Sequence, residues 1–435
     1  MMRPVFLAIA LACFVLTAGP QIAHAQETGT VAPAKTPLEA RAEEVVALLN
    51  GQVKPEAIFT DGFLKAVSVE QITGLSASIT AQFGPAVEVA LLNPRDGTRA
   101  ALEIRFERGI GKGGIAIDPA DAGRINELRF TSFDTLAVAG DTPEKIAADL
   151  AALPGSVNAW FGPLDGGAPL ISIGADTPLA LGSTFKLYVL ATLAEDVKAG
   201  RRKWTDVVPL TEKSFPSGQM QNWPEGSPVT LHTLASLMIS ISDNTATDQL
   251  IAVLGQKRIL KLMRDSGHSN PEANNPFLTT RQVFLLKTLR PDQLEGRTAR
   301  EVLANPAAAA FAAVANPSLD DVNAAFASGP KALNIEWFAS PADLAKLLGH
   351  MRKTADAEAF RIMAINPSAT PAIKANWHYI GFKGGSEPGV LNLTWLLQDT
   401  DGSAHVLTLG WNNPAAVVDN GQLEMIAQRI LLLPH

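Results

Sequence analysis

The sequence predicts an α+β protein built from a small first domain and a larger second one. In the first part, apolar residues recur at helical spacing and then with a period of two, which indicates helices followed by an antiparallel sheet. The second part opens and closes with helix and strand patterns and holds a long helical stretch between them. With 435 residues, of which 47% are hydrophobic and 18% are charged, the chain can bury sizeable cores.

Residues 1–25 have the features of a cleaved export signal. Arg3 supplies a positive start, residues 5–18 form an apolar run too short to span a bilayer comfortably, and Ala-His-Ala at 23–25 is a small-x-small cleavage site. We expect cleavage after Ala25 and a periplasmic or secreted protein. The alternative is a lipoprotein processed at Cys13, the single cysteine of the chain. In either case we expect neither disulfides nor catalysis by a thiol.

Charge and composition restrict the partners. The formal net charge is −7 and there is no basic tract, so neither nucleic acid nor an anionic membrane surface is expected to bind. No later stretch is long and apolar enough to span a membrane. We expect a monomer that acts on a small-molecule substrate, with no cofactor and no metal.

The first domain is predicted to cover residues 36–135. The helical patterns begin after possible N-caps, Thr36 for the first helix and Ser68 for the third. The predicted helices are 37–50, 55–64 and 68–83, and the predicted strands are 87–92, 99–106, 114–117 and 124–132, with turns at 95–97 and 111–114.

The second domain is predicted to cover residues 142–435. Its expected elements are a helix from 142, strands at 157–162 and 169–173, a helix starting at 183, mostly helical structure over 188–350, strands at 378–382, 389–398 and 403–411, and a closing helix at 423–433. The sheet would therefore be assembled from both ends of the domain, with a helical lobe against it. The alanine-rich segment 293–333 is predicted to be a helical insert.

A serine and a lysine three residues apart, Ser183 and Lys186, stand at the head of an apolar run. Positions i and i+3 share one face of a helix. A lysine in such a run loses hydration, so its pKa should fall and it can act as a base toward the serine. The plain alternative is a buried helix with a serine N-cap and a lysine that extends its ammonium to solvent.

Two further motifs follow. Ser242-Asp243-Asn244 interrupts two apolar helices with side chains that compete for backbone hydrogen bonds, although an ordinary polar loop would look the same. Lys383-Gly384-Gly385-Ser386 lies in a strand pattern, where the glycines permit a close backbone approach and the lysine supplies a positive charge. The alternative there is an edge-strand lysine beside a bulge.

Ser-x-x-Lys, then Ser-Asp-Asn, then Lys-Gly-Gly is an order that resembles the penicillin-recognising serine enzymes. Residues 142–435 resemble class A β-lactamases, whose fold packs an antiparallel sheet against a helical lobe. The resemblance implies that Ser183 is a nucleophile that forms an acyl-enzyme and that Lys186 activates it. It also implies that Ser242, assisted by Lys383, passes a proton to the leaving group.

Substrate contacts also come from this resemblance. The backbone N–H groups of Ser183 and Ser386 would form an oxyanion hole. Asn244 would hold the amide of the acyl side chain, and Gly385 would lie beside the substrate with Ser386.

The helices and meander of residues 36–135 resemble the cone-shaped folds of ketosteroid isomerase and nuclear transport factor two. The order of the two domains is similar to β-lactamase-like proteins of clavulanic acid clusters, which join an isomerase-like domain to a β-lactamase-like one. The predicted strands carry Glu88, Glu103 and Arg105, but no carboxylate stands out as a buried base. We therefore expect a structural or ligand-shaping domain rather than a second active site.

Three departures from the class A pattern affect turnover. The Glu-x-x-Leu-Asn motif, whose glutamate activates the deacylating water, is missing between the second and third motifs, with Glu272 and residues 320–323 (Asp-Asp-Val-Asn) as candidates instead. Gly384 stands where a hydroxyl residue is expected, and residues 390–398 contain no arginine. Penicillin-type substrates should be held less well, and the acyl-enzyme should turn over slowly if no carboxylate reaches it.

These observations leave three hypotheses. The first is an exported serine hydrolase that cleaves a β-lactam or a related amide or ester through an acyl-serine. The second is a penicillin-binding or esterase-like enzyme with slow deacylation. The third is a non-catalytic ligand-binding protein. The complete set of four motif residues argues against the third, because a binding protein needs no activated nucleophile.

Overall fold

The computed structural model describes residues 35–136, 140–289, 296–315 and 318–434. The predicted export signal lies outside these residues. The helices are α1 (Pro37–Leu49), α2 (Pro55–Ile58), α3 (Asp61–Ala66), α4 (Val69–Phe83), α5 (Pro143–Ala151), α6 (Lys186–Lys198), α7 (Leu231–Ser240), α8 (Asn244–Leu254), α9 (Gln256–Asp265), α10 (Thr280–Lys287), α11 (Ala299–Leu303), α12 (Pro306–Val314), α13 (Leu319–Phe326), α14 (Pro341–Thr354), α15 (Ala357–Met363), α16 (Pro371–Asn376) and α17 (Asn420–Leu431). The strands are β1 (Ala86–Pro94), β2 (Arg99–Phe106), β3 (Gly109–Asp118), β4 (Arg124–Thr135), β5 (Ser156–Pro163), β6 (Ile171–Ile173), β7 (Leu179–Ala180), β8 (Val207–Pro209), β9 (Pro228–Thr230), β10 (Phe338–Ala339), β11 (Tyr379–Glu387), β12 (Val390–Gln398) and β13 (Ala404–Asn412).

The first sheet is the antiparallel meander that the sequence predicts, in the order β1-β2-β3-β4. Helices α1 and α4 begin at the predicted caps, since Thr36 and Ser68 each close a capping box. The predicted helix at 55–64 is wrong as a single element. It is two short helices, because Phe59 is extended and the Thr60 side chain starts α3 by accepting from the Phe63 N–H.

The predicted turn at 111–114 is also wrong, because these residues lie inside β3. A β-carbon on Gly113 would lie 1.8 Å from the carbonyl oxygen of Arg129, next to an irregularity in the pairing of β3 with β4. The glycines thus allow two strands to approach closely instead of reversing the chain. Among the charged residues of these strands, Glu88 forms an exposed ion pair with Arg105. Glu88 is therefore not a buried base.

The second sheet has the order β11-β12-β13-β5-β6 and is antiparallel throughout. Strands from both ends of this part of the chain thus meet in one sheet, which confirms the prediction. Leu391 and Leu393 of β12 pack with α5 and α17 on one face. Leu396 of β12 and Val406 of β13 pack with the helical lobe on the other. Strand β11, which carries the Lys-Gly-Gly motif, is an edge strand.

The described part of the 293–333 insert is helical, as predicted, and consists of α11, α12 and α13. The closing helix α17 also lies against α4 and β4. None of the helices in the described ranges combines the length and apolar character needed to cross a membrane.

Candidate active site

Ser183 lies in a single 3₁₀ turn, Gly182–Phe185, that leads directly into α6 at Lys186. A 3₁₀ turn has three residues per turn, so serine and lysine still share one side, although the sequence predicts an α-helical start. Phe185, the last residue of the turn, anchors it to the rest of the domain, because its ring stacks on Trp337 with 3.6 Å between centroids. Ser183 is half-buried, whereas Lys186 is fully buried.

The three motifs converge on the hydroxyl of Ser242. Lys186 Nζ donates to Ser242 Oγ at 3.0 Å and to the Ser242 carbonyl at 2.7 Å. Lys383 Nζ, from the Lys-Gly-Gly motif, donates to the same Oγ at 3.1 Å. The Ser242 hydroxyl therefore sits between two lysines that are distant in sequence.

The backbone of Ser242 explains how one residue offers two acceptors to Lys186. Ser242 connects α7 to α8 with a φ of 57°, a left-handed conformation that is costly for a residue with a side chain. The next residue, Asp243, fixes this connection. One of its buried carboxylate oxygens accepts from the Ala246 N–H of α8, and the other accepts from the N–H groups of Gln219 and Met220 at 2.7 and 2.9 Å.

Asn244 begins α8 and faces both the lysine and the cavity. Its Oδ1 accepts from Lys186 Nζ at 2.7 Å, and its Nδ2 donates to the Phe215 carbonyl at 3.0 Å. Both ends of the amide are thus bonded within the protein. The interruption between the two apolar helices is short, since α8 already starts at this asparagine, the last residue of the Ser-Asp-Asn motif.

Burial lowers the pKa of both lysines. For Lys186 the pKa falls well below its usual range, mainly by desolvation and further by the charge of Lys383, with Asp248 and Asp243 partly opposing the shift. Burial lowers the pKa of Lys383 to about 7. Burial therefore favours the neutral amine of Lys186 over the ammonium, and a neutral amine can accept a proton.

The contacts of Lys186 suit either protonation state. As an ammonium it has three N–H donors for its three acceptors. As a neutral amine it keeps two N–H bonds, to the Ser242 carbonyl and to Asn244 Oδ1, and its lone pair is free to accept from a serine hydroxyl. The site can therefore hold the base form without leaving a buried acceptor unpaired.

The edge strand β11 meets the Ser183 turn backbone to backbone. A β-carbon on Gly182 would lie 2.9 Å from the Ser386 nitrogen, and one on Gly385 would lie 2.3 Å from the Ser183 nitrogen. Only glycine fits at both positions. The amide nitrogens of Ser183 and Ser386 therefore lie on adjoining segments, as an oxyanion hole requires.

A cavity of about 340 Å³ opens over this constellation. Most of the predicted site residues line it, while Lys186 and Lys383 lie behind Ser242. The lining residues are Ser183, Pro216, Ser217, Ser242, Asn244, Phe284, Ser368, Phe382, Gly384, Gly385, Ser386, Leu391, Leu393, Asn420 and Glu424.

The candidates for a deacylating carboxylate are not among these residues, which corrects both suggestions. Glu272 is exposed and pairs with Arg264 and with Arg300, and these hydrogen bonds lower its pKa to about 2. Asp321 caps α13 by accepting from the Ser318 N–H at 2.9 Å. The other residues of 320–323 likewise do not line the cavity.

Sequence reasoning missed two groups near the site. One is Glu424, a lining residue on the closing helix, for which the sequence carries no signal. The other is a buried cluster in which Lys287 of α10 pairs with Glu336 at 2.9 Å and with Glu387, the last residue of β11. Lys287 ends an apolar run just as Lys186 begins one, so the same reasoning could have found it.

A half-buried serine, a buried lysine one turn beyond it, a second serine between two lysines and two adjoining backbone nitrogens form an arrangement of the kind that serine hydrolases use. The chain belongs to the beta-lactamase enzyme family, whose model matches residues 142–409, more than half of its length. The family predicted from the three motifs is thus confirmed.

Solved structures with similar folds include a beta-lactamase from Sphaerobacter thermophilus, with 21% identity over 66% of this chain and 94% of that one and a TM-score of 0.46. PBP-A has 20% identity over 67% and 94% and a TM-score of 0.46. A beta-lactamase from Chitinophaga pinensis has 15% identity over 66% and 96% and a TM-score of 0.45. No curated protein matches the chain.

Proposed function

We propose that the protein is an exported serine hydrolase that opens a β-lactam, or cleaves a related amide or ester, through an acyl-enzyme at Ser183. The observation that carries this proposal is the position of the Ser242 hydroxyl. It accepts from Lys186 and Lys383 at 3.0 and 3.1 Å and lines one cavity with Ser183. A site that only binds a ligand would have no use for two buried lysines whose pKa values are both lowered by desolvation.

The proposed acylation uses these residues in turn. Neutral Lys186 takes the proton of Ser183 Oγ as that oxygen attacks the substrate carbonyl carbon. The negative charge on the carbonyl oxygen is stabilised by the N–H groups of Ser183 and Ser386, and one such donor is typically worth ~3–4 kcal/mol. Because Ser242 Oγ accepts from lysines, its own proton is free for the leaving nitrogen or oxygen. The C–N or C–O bond then breaks, and a lysine N–H restores the Ser242 proton.

Deacylation is the slow half of the proposed cycle. A water must be deprotonated as it attacks the acyl-serine, and the glutamate and aspartates suggested for this role lie outside the cavity lining. This observation favours the second candidate function, a penicillin-binding or esterase-like enzyme whose acyl-enzyme persists. A long-lived adduct is therefore the expected outcome with substrates whose acyl group cannot position water itself.

Intact-protein mass spectrometry with penicillin G, a cephalosporin and an acyl ester tests the proposal. We expect a covalent mass increase on Ser183 with at least one of them, and none in Ser183→Ala. Ser156→Ala, which removes an exposed hydroxyl on β5, serves as the matched control and should be acylated like the wild type. A wild-type protein with neither adduct nor turnover would refute the proposal.

Export forms a separate part of the proposal, and it is supported by the sequence of residues 1–25. The full-length chain, expressed in a Gram-negative host, should appear in the periplasm or medium with Gln26 as its first residue. A cytoplasmic protein that keeps Met1 would contradict export without affecting the proposed chemistry.

A further inference from the structure

We propose that Glu424 makes the outer end of the active-site cavity select substrates whose leaving part is cationic, and disfavour leaving parts that carry a carboxylate. This inference rests on the proposed acylation of Ser183 and specifies its substrate class. It assigns a specificity role to the closing helix α17, which contributes none of the three catalytic motifs.

The cavity continues around the edge of the sheet. Successive side chains of a strand point to opposite faces, so Lys383 points toward Ser242 while Phe382 and Gly384 face α17. The same cavity is nevertheless lined by Ser183 on one side and by Asn420 and Glu424 on the other. Gly384 has no side chain to separate the two ends. A substrate attacked at Ser183 can thus extend past this edge to α17.

The outer end is apolar and acidic. Leu391 and Leu393 line it on the face of β12 that packs toward α17. Glu424 is the single ionisable side chain among the lining residues of this cavity, as far as the chain is described. A carboxylate on the substrate would meet a like charge there, whereas an ammonium would meet an opposite one.

Glu424 has no cationic partner in the parts of the chain that the structure describes. Its side chain reaches solvent, but partial burial, reinforced by the charge of Asp419, raises its pKa. Both causes disfavour the ionised carboxylate. A substrate cation placed beside Glu424 would offset both, which is the physical basis of the selectivity.

Two features of the site could favour an anion, and both are already engaged. The N-terminus of α17 would attract negative charge, but Asp419 caps it by accepting from the Gln422 N–H at 3.1 Å. Lys383 donates to Ser242 Oγ and to the Gly384 carbonyl, does not line the cavity, and has a pKa lowered to about 7. The charge that a bound leaving part meets is therefore that of Glu424.

Three phenylacetyl aryl esters test this inference. Their leaving groups are phenol, 3-(aminomethyl)phenol and 3-hydroxybenzoate, so they deliver one and the same acyl group and differ in leaving-group charge. Acylation of Ser183 is followed by stopped-flow release of the phenol and by intact mass. Because the acyl-enzyme is common to all three, deacylation does not enter the comparison.

The measured quantity is the ratio of acylation rate constants for the cationic and the carboxylate ester. We expect this ratio to be about tenfold higher in the wild type than in Glu424→Gln, a difference of about 1.4 kcal/mol. It should invert in Glu424→Lys and shrink toward one as salt is added. Glu225→Gln, which removes the same charge from an exposed residue that does not line the cavity, should keep the wild-type ratio.

An equal ratio in the wild type and Glu424→Gln overturns the inference. Failure of the proposed function looks different, because the neutral phenyl ester would then leave no adduct on Ser183. If the neutral ester acylates Ser183 but the ratio is the same in the wild type and Glu424→Gln, the proposed serine hydrolase function stands and the selectivity role of Glu424 is rejected.

Discussion

A β-carbon on Gly385 would lie 2.3 Å from the backbone nitrogen of Ser183. Contact at this distance cannot be relieved by a side-chain rotation, because the opposing atoms belong to the backbone of the 181–184 turn. The glycine therefore sets how closely the edge strand approaches Ser183. The same approach brings the Ser386 nitrogen beside the Ser183 turn, where we propose it as the second oxyanion donor.

Gly385→Ala should slow acylation of Ser183 by about 100-fold or more, the typical loss when one oxyanion donor is displaced. The variant should also unfold at a lower temperature. Gly384→Ala is the matched control for stability, since its β-carbon would meet the tip of the Phe382 ring at 2.8 Å, and a ring can move. Equal acylation rates in Gly385→Ala and the wild type would show that the close approach of β11 to the Ser183 turn is not needed for acylation.

Lys186→Met should abolish acylation near neutral pH, because it removes the proposed base while keeping an unbranched side chain of similar length. Loss of a general base typically costs ~100-fold to 10,000-fold in rate. The measurement is the rate of adduct formation at pH 7 with the ester that acylates the wild type fastest. Lys257→Met, on the exposed face of α9, controls for loss of a lysine elsewhere. Unchanged acylation in Lys186→Met would assign the base role to another group.

The parts of the site that lie close together in sequence could be predicted from local spacing, whereas the meeting of distant motifs could be predicted only from their order along the chain. Ser183 and Lys186 are one turn apart, so local spacing already puts them on one side. The contact of Lys383 with Ser242 was inferred from motif order, and the structure gives it a distance of 3.1 Å.

Nothing in the local sequence around Glu424 or Glu387 indicates that these residues lie at or near the site. Glu424 reaches the cavity because α17 packs against β12, the neighbour of the edge strand, and Glu387 is buried because Lys287 lies opposite it. Both facts depend on how α10 and α17 dock, which local patterns do not encode. The turn predicted at 111–114 failed for a related reason, since glycine permits close strand approach as well as chain reversal.

Lys383 should make the free energy of unfolding depend on pH. Burial lowers its pKa from 10.5 to about 7, so between these values the unfolded chain holds a proton that the folded protein has released. Stability contributed by this group therefore rises with pH across that window and is lost as pH falls toward 7. Urea unfolding at several pH values measures the slope.

Lys383→Met should flatten that slope and raise the free energy of unfolding by about 2 kcal/mol at pH 6, because it removes a buried charge. The same variant should lose acylation, so a gain in stability would accompany a loss of function. Parallel pH profiles for Lys383→Met and the wild type would contradict burial of an ionisable amine at this position.

The buried cluster of Lys287, Glu336 and Glu387 should be essential to stability as a unit. Lys287 is fully buried, and burial raises the pKa of Glu387, although the Lys287 charge partly opposes this shift. Lys287→Met leaves two carboxyl groups without their cation and should cost about 3–5 kcal/mol in free energy of unfolding.

Removing the charges together should restore much of that loss. The triple variant Lys287→Met, Glu336→Gln, Glu387→Gln has no buried charge left to compensate, so its free energy of unfolding should exceed that of Lys287→Met. Chemical denaturation at pH 7 measures both. A triple variant no more stable than the single one would show that packing around Lys287, rather than charge, is responsible.

Glu272→Gln should leave the lifetime of the acyl-enzyme within about twofold of the wild type, because a base must lie within hydrogen-bond reach of the attacking water. Glu272 is held on the surface by Arg264 and Arg300, which together with Asn275 lower its pKa to about 2, so it is also a poor proton acceptor. The measurement is the decay of the Ser183 adduct after excess ester is removed, with Glu358→Gln as a control for loss of another paired surface glutamate. A large increase in adduct lifetime confined to Glu272→Gln would mean that this loop moves into the cavity after acylation.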